Sequence, residues 1–141
     1  IRDVSSFKRV QNWLMAVSEE INLPSDSVKS MKGVVFEVRQ GYKSKDSKRQ
    51  NADIANAAKA YAHLYIPAIV LFSNQIDSDI AHRYREHHWL LLTGSLHNSA
   101  TKSTYAFCRD VIGYDLAGFF ERYTDRLRLE IEDVLKTLLT I

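Results

Sequence analysis

The chain has 141 residues, of which 45% are hydrophobic and 26% charged, the balance of one globular domain long enough to bury a core. Lys and Arg number 19 against 17 Asp and Glu, and the formal net charge of +2 excludes a histone-like polycation. No apolar run approaches the roughly 20 residues of a membrane-spanning helix, and IRDVSSFKRV lacks the apolar segment of a secretory signal. A single Cys108 cannot form an intrachain disulfide, so the reducing cytoplasm is the expected location. The chain starts at Ile1 rather than Met, which reads as a processed chain or a fragment from which upstream elements could be missing.

In chain order, Val4, Phe7, Val10, Trp13, Leu14, Val17 and Ile21 recur at three- and four-residue steps and predict an amphipathic helix. Leu23-Pro24 ends it, because the residue before proline is pushed out of the helical region. Pro24-Ser25-Asp26-Ser27 reads as a turn with Asp26 as cap or turn residue. Residues 33–40, rich in Val and Phe, predict a strand, and the loop after it gathers Lys43, Lys45, Lys48 and Arg49 with only Asp46 opposing them. A helix is expected from about Asn51, with Ala52, Ala55, Ala58 and Ala62 suggesting close packing, and it stops before Pro67. Residues 68–72 are a continuous apolar run, the pattern of a strand buried on both faces, and Trp89-Leu-Leu-Leu-Thr93 reads as a second such strand. Between them, residues 77–87 predict a short helix capped by Asp77 or Ser78.

Residues 95–103 are polar and loop-like, and two helices follow over 104–112 and 115–139. The second repeats Leu116, Phe119, Phe120, Tyr123, Leu127, Ile131, Leu135 and Leu138 at helical spacing, so one side is expected to be buried against the body or a second subunit. This order is that of an α/β domain spanning 1–141. It predicts a small, largely parallel sheet of three or more strands flanked by helices, with a helical C-terminal part. In such sheets ligands sit beyond the carboxyl ends of the strands, which puts loops 40–50, 73–77 and 94–103 on one rim.

Glu37 and Arg39 share one sheet face, because strand side chains alternate. A carboxylate beside concentrated cations suits chemistry on a phosphodiester: the acid can hold a divalent metal while the cations hold phosphates. A solvated basic loop is the plain alternative. Gln40 and Tyr42 extend the strand into the loop, and Tyr42 is placed either to stack on a base or to pack. Gln50 and Asn51 at a helix start suit an adenine edge or, with Asp53, a cap. Asp77 and Asp79 are weaker candidates for a metal-site carboxylate, better read as caps, and His82, Glu86, His87 and His88 are better read as surface groups than as zinc ligands. Ser99, Thr101, Lys102 and Ser103 could hydrogen-bond phosphates from the third rim loop. No glycine-rich phosphate loop or serine-hydrolase elbow is present in the sequence.

Pro24-Ser25-Asp26 followed by Glu37-Val38-Arg39 resembles the proline–aspartate, glutamate-x-lysine signature of the restriction-endonuclease-like nuclease superfamily, over roughly residues 24–72. The resemblance implies a metal-dependent endonuclease domain acting on DNA phosphodiesters, with Mg²⁺, or Mn²⁺, held by Glu37 and Asp26. Lys43 or Lys45 would position water or the scissile phosphate, and Arg39, Lys48 and Arg49 would neutralise the backbone. Arg39 stands in the lysine slot, and arginine stays protonated and cannot act as a general base. That departure keeps two alternatives open: a non-catalytic nucleic-acid-binding module of the same fold, or a small α/β domain for a phosphorylated ligand or a protein partner. A homodimer through the C-terminal helix would match the two strands of a duplex.

Overall fold

The computed structural model of the chain describes residues 4–42 and 47–140. Helix α1 (Val4–Glu20) and a short α2 (Ser25–Lys29) lead into strand β1 (Gly33–Arg39). Then come α3 (Ser47–Ala62), β2 (Tyr65–Leu71), α4 (Ser78–Glu86) and β3 (Leu90–Leu92). Helix α5 (Thr104–Phe107) continues as a π-helical turn, Cys108–Ile112, and α6 (Leu116–Leu139) closes the chain. The three strands form one parallel sheet in the order β1-β2-β3, so the fold is α/β as the alternation predicts. Among the described residues no helix is long and apolar enough to cross a membrane.

Strand alternation divides the interior into two cores. Ile66, Ala68, Val70, Leu90 and Leu92 point to the face covered by α1, α2 and α5, where they pack with Trp13, Val17, Val28 and Phe107. Ile69, Leu71 and Leu91 point to the other face, with Ala57 of α3 and Ile80, Ala81 and Tyr84 of α4. Successive crossovers of one hand place their helices on the same face, which is why α3 and α4 lie together. Each fully buried Ile or Leu here contributes about 1.5–3 kcal/mol relative to exposure. The same parity turns Val34, Phe36 and Val38 toward the first core and Val35, Glu37 and Arg39 toward α3.

Several boundaries differ from the sequence expectation. Strand β2 begins at Tyr65 and includes a buried Pro67 opposite Val35. Proline is tolerated there because pairing with β3 starts only at Ala68 opposite Leu90. The turn expected at Asp26 is the helical turn α2, with Asp26 in its first turn. The helix over 104–112 opens into the π-turn and ends at Gly113, whose φ of 84° is the left-handed conformation that glycine adopts most easily. The largest difference is α6: none of its residues is buried. Its beginning touches the body, where Phe120 meets Phe72 and Tyr105 edge-on.

Candidate functional site

The carboxyl ends of the three strands are tied into one rim by backbone hydrogen bonds. Ser73 N donates to Gln40 O at 3.0 Å, Tyr42 N to Gln75 O at 2.8 Å, and Gly94 N to Ser73 O at 3.1 Å. At Gly94 the approach of the backbone is close enough to require glycine. A Cβ on Gly94 would lie 2.3 Å from the Phe72 carbonyl oxygen, and one on Gly41 would lie 2.6 Å from Ser73 Oγ.

At the end of β1, Arg39 sits between two carboxylates. Its Nη2 donates to Asp53 Oδ1 at 2.7 Å and its Nη1 to Asp53 Oδ2 at 3.2 Å, a bidentate pairing with α3. Its Nε donates to Glu37 Oε1 at 3.0 Å, and Nη2 also bonds the same oxygen. Asp53 is 3% exposed and accepts further hydrogen bonds from Tyr42 Oη at 3.3 Å and from Tyr84 Oη. The guanidinium lies 4.9 Å from the centre of the Tyr42 ring, and Tyr42 meets Tyr84 edge-on.

A buried carboxylate is costly unless paired, and this one has four donors on its two oxygens. Burial pulls the Arg39 guanidinium down, but the hydrogen bonds and charges of Asp53 and Glu37 outweigh it, so Arg39 stays protonated. Burial, and then the Asp53 carboxylate, push the Tyr84 phenol well up from its ordinary value. The cluster locks the end of β1 to α3 and α4.

The expected site residues separate into three groups. Glu37 and Arg39 meet as their shared strand face predicts, and Glu37 keeps its side chain 39% exposed. Lys48 and Arg49 are exposed at the start of α3, and Gln40 is exposed at the end of β1. Tyr42 is buried beneath Arg39, so its ring packs rather than facing a base. Gln50 and Asn51 accept hydrogen bonds from Arg83 of α4, at 2.8 and 3.0 Å. Helix α3 starts four residues earlier than expected, which carries both amides into the α3–α4 contact. Lys43 and Lys45 lie outside the described residues.

Asp26 lies at the other end of the strand. Its carboxylate is exposed and pairs with Lys29 at 3.1 Å, on the short helix that precedes the amino end of β1. The acid that shares a partner with Glu37 is Asp53. In the sequence Asp53 reads as a cap, although Gln50, Asp53 and Ala57 have the three- and four-residue spacing of a buried helix face. Among the weaker candidates, Asp77 caps α4 by accepting from Asp79 N at 2.9 Å. Ser103 caps α5, accepting from Ala106 N at 3.1 Å.

Among the described residues no group of three or more His, Cys, Asp or Glu is arranged to hold a metal ion. Asp53 already accepts four hydrogen bonds, and Arg39 lies between Asp53 and Glu37. The described residues therefore do not fit a two-acid metal centre; they offer Glu37 as one partly exposed carboxylate. Comparison with known proteins returned no matching family model, no matching curated protein and no matching solved structure.

Proposed function

We propose that this chain is a nucleic-acid-binding α/β domain of the restriction-endonuclease-like kind, with DNA as its partner, and that the phosphate backbone lies along the carboxyl rim of β1. One observation carries the reading: exposed Lys48 and Arg49 lie in the first turn of α3, the helix that follows β1 and is clamped to its carboxyl end through Asp53, on the side where parallel sheets take their ligands. The intervening segment adds Lys43 and Lys45. Arg39 acts as an internal cation. By offsetting one of the two negative charges of Glu37 and Asp53 it lessens their repulsion of a phosphate, and its clamp on α3 holds the rim in a fixed shape.

Cleavage of the phosphodiester is the second reading, favoured by the partial exposure of Glu37 at 39%. Mg²⁺ or Mn²⁺ would be the metal, and Lys43 or Lys45 the residue that positions water. A homodimer through α6 belongs to the same proposal, since a two-fold pair presents equivalent rims to antiparallel strands. So does a cytoplasmic location, which rests on the single cysteine.

The test is duplex binding by fluorescence anisotropy at low salt, followed by incubation with supercoiled plasmid and Mg²⁺ or Mn²⁺. Binding that weakens steeply as salt rises supports the proposal. Nicking that disappears in Glu37→Ala adds the catalytic reading, and binding without nicking selects the module. No affinity for any duplex at low salt would overturn both.

A further inference from the structure

The apolar stripe of α6 has a symmetry that its amphipathic period does not require. Counted from Leu127, apolar residues stand 4, 7 and 11 positions away in both directions: Tyr123 and Ile131, Phe120 and Val134, Leu116 and Leu138. An 11-residue spacing corresponds to about 3.67 residues per turn, so the stripe runs nearly parallel to the axis of a straight helix. From Tyr123 onward it is uncovered: Tyr123 is 41% exposed, Leu127 43%, Ile131 58% and Leu138 62%. At 1.5 Å per residue the helix is about 36 Å long, and a continuous apolar face of that length marks a contact surface.

We infer that two copies of α6 pair antiparallel, with Leu127 on the two-fold axis. This deepens the dimer part of the proposal above and does not depend on its DNA part. The occupant is a second copy of this chain because the stripe is complementary to itself only when reversed. Reversal sets Phe120 against Val134 and Tyr123 against Ile131, a large ring against a smaller branched side chain at each step, which evens the packing. Parallel pairing would stack ring on ring at one end and small on small at the other.

On one flank of the stripe charge agrees with that direction. Arg126 and Glu130 lie on the same flank of the stripe and bond each other at 3.0 Å. The two-fold brings Glu130 of the second copy alongside Arg126, closing a four-membered ionic ring across the axis. On this flank a shallow groove of about 380 Å³, lined by Phe119, Tyr123, Arg126, Leu127 and Glu130, receives the opposing side chains. Each body packs on the start of its own α6, so antiparallel pairing also keeps the two bodies at opposite ends.

Disulfide trapping in a Cys108→Ala background, without nucleic acid, reads the register directly. Leu127→Cys is expected to cross-link with itself, and Leu138→Cys to cross-link with Leu116→Cys but not with itself. Leu127→Lys is expected to weaken self-association by more than about tenfold, as loss of a central contact does, with the helical circular dichroism unchanged. A chain that stays monomeric at about 100 µM, well above the concentration a specific contact needs, would overturn the inference. So would self-cross-linking of Leu138→Cys, or a dimer that survives Leu127→Lys. Absence of DNA binding would leave these outcomes untouched.

Discussion

Replacing Asp53 by asparagine removes a buried negative charge while keeping the side chain's shape, which isolates what the carboxylate does for the cluster around Arg39. In the native chain it accepts from both terminal nitrogens of Arg39 and from two tyrosine hydroxyls. Asparagine keeps one acceptor oxygen and turns an NH₂ group toward the remaining donors. Breaking a buried ion pair costs about 3–5 kcal/mol. Arg39 retains Glu37 and the tyrosines can share the surviving oxygen, which puts the expected loss near the lower end, about 3 kcal/mol. In a chain of this size that lowers the melting temperature by roughly 10 °C.

Urea denaturation followed by tryptophan fluorescence measures the loss, since Trp89 packs on Tyr84 at 5.7 Å. A double-mutant cycle with Arg39→Met then isolates the pair, with an expected coupling of about 2 kcal/mol. A loss below about 1 kcal/mol, or strict additivity of the two substitutions, would refute the assignment of Asp53 as the anchor of the rim.

Tyr84, held above its ordinary value of about 10 by burial and by Asp53, contributes stability that is fully present below that pH. The contribution is lost as pH rises, because the unfolded phenol ionises first. Alkaline titration of stability should show this loss, and Tyr84→Phe should reduce it; a profile unchanged by the substitution would contradict the linkage. Gly94→Ala forces its Cβ against the Phe72 backbone and is expected to cost about 3 kcal/mol in thermal unfolding, whereas Ala at the exposed Gly113 should mainly carry the cost of its positive φ. Arg83→Ala removes the tie to Gln50 and Asn51 and is expected to cost about 1–2 kcal/mol. If those amides do not read bases, it leaves any preference among duplex sequences unchanged in a competition assay.

The long elements were legible in the sequence because periodicity marks them: seven apolar residues trace α1, and unbroken apolar runs mark β2 and β3. Short or polar beginnings were not. The five residues of α2 are too few for a period, and α3 begins on Ser47, Lys48 and Arg49, which carry no apolar signal. Pro67 argued for a later start to β2, since its tolerance depends on where β3 begins to pair. At the site, alternation put Glu37 and Arg39 on one face. The acid completing their cluster was read as a local cap because Tyr84 lies 31 positions from Asp53, and tertiary contacts of that kind leave no local pattern. For α6 the apolar stripe was plain, but its exposure was not, because periodicity marks a face without saying what covers it.

The central claim is that the carboxyl rim of β1 meets a phosphate backbone through the start of α3. The most direct measurement is the slope of log K against log salt for a duplex, compared between the native chain and Lys48→Ala/Arg49→Ala. The account predicts tight binding at low salt with a steep negative slope, made shallower by about 1 for each phosphate contact removed, with thermal stability unchanged. A slope and affinity unaltered by the double substitution would contradict it.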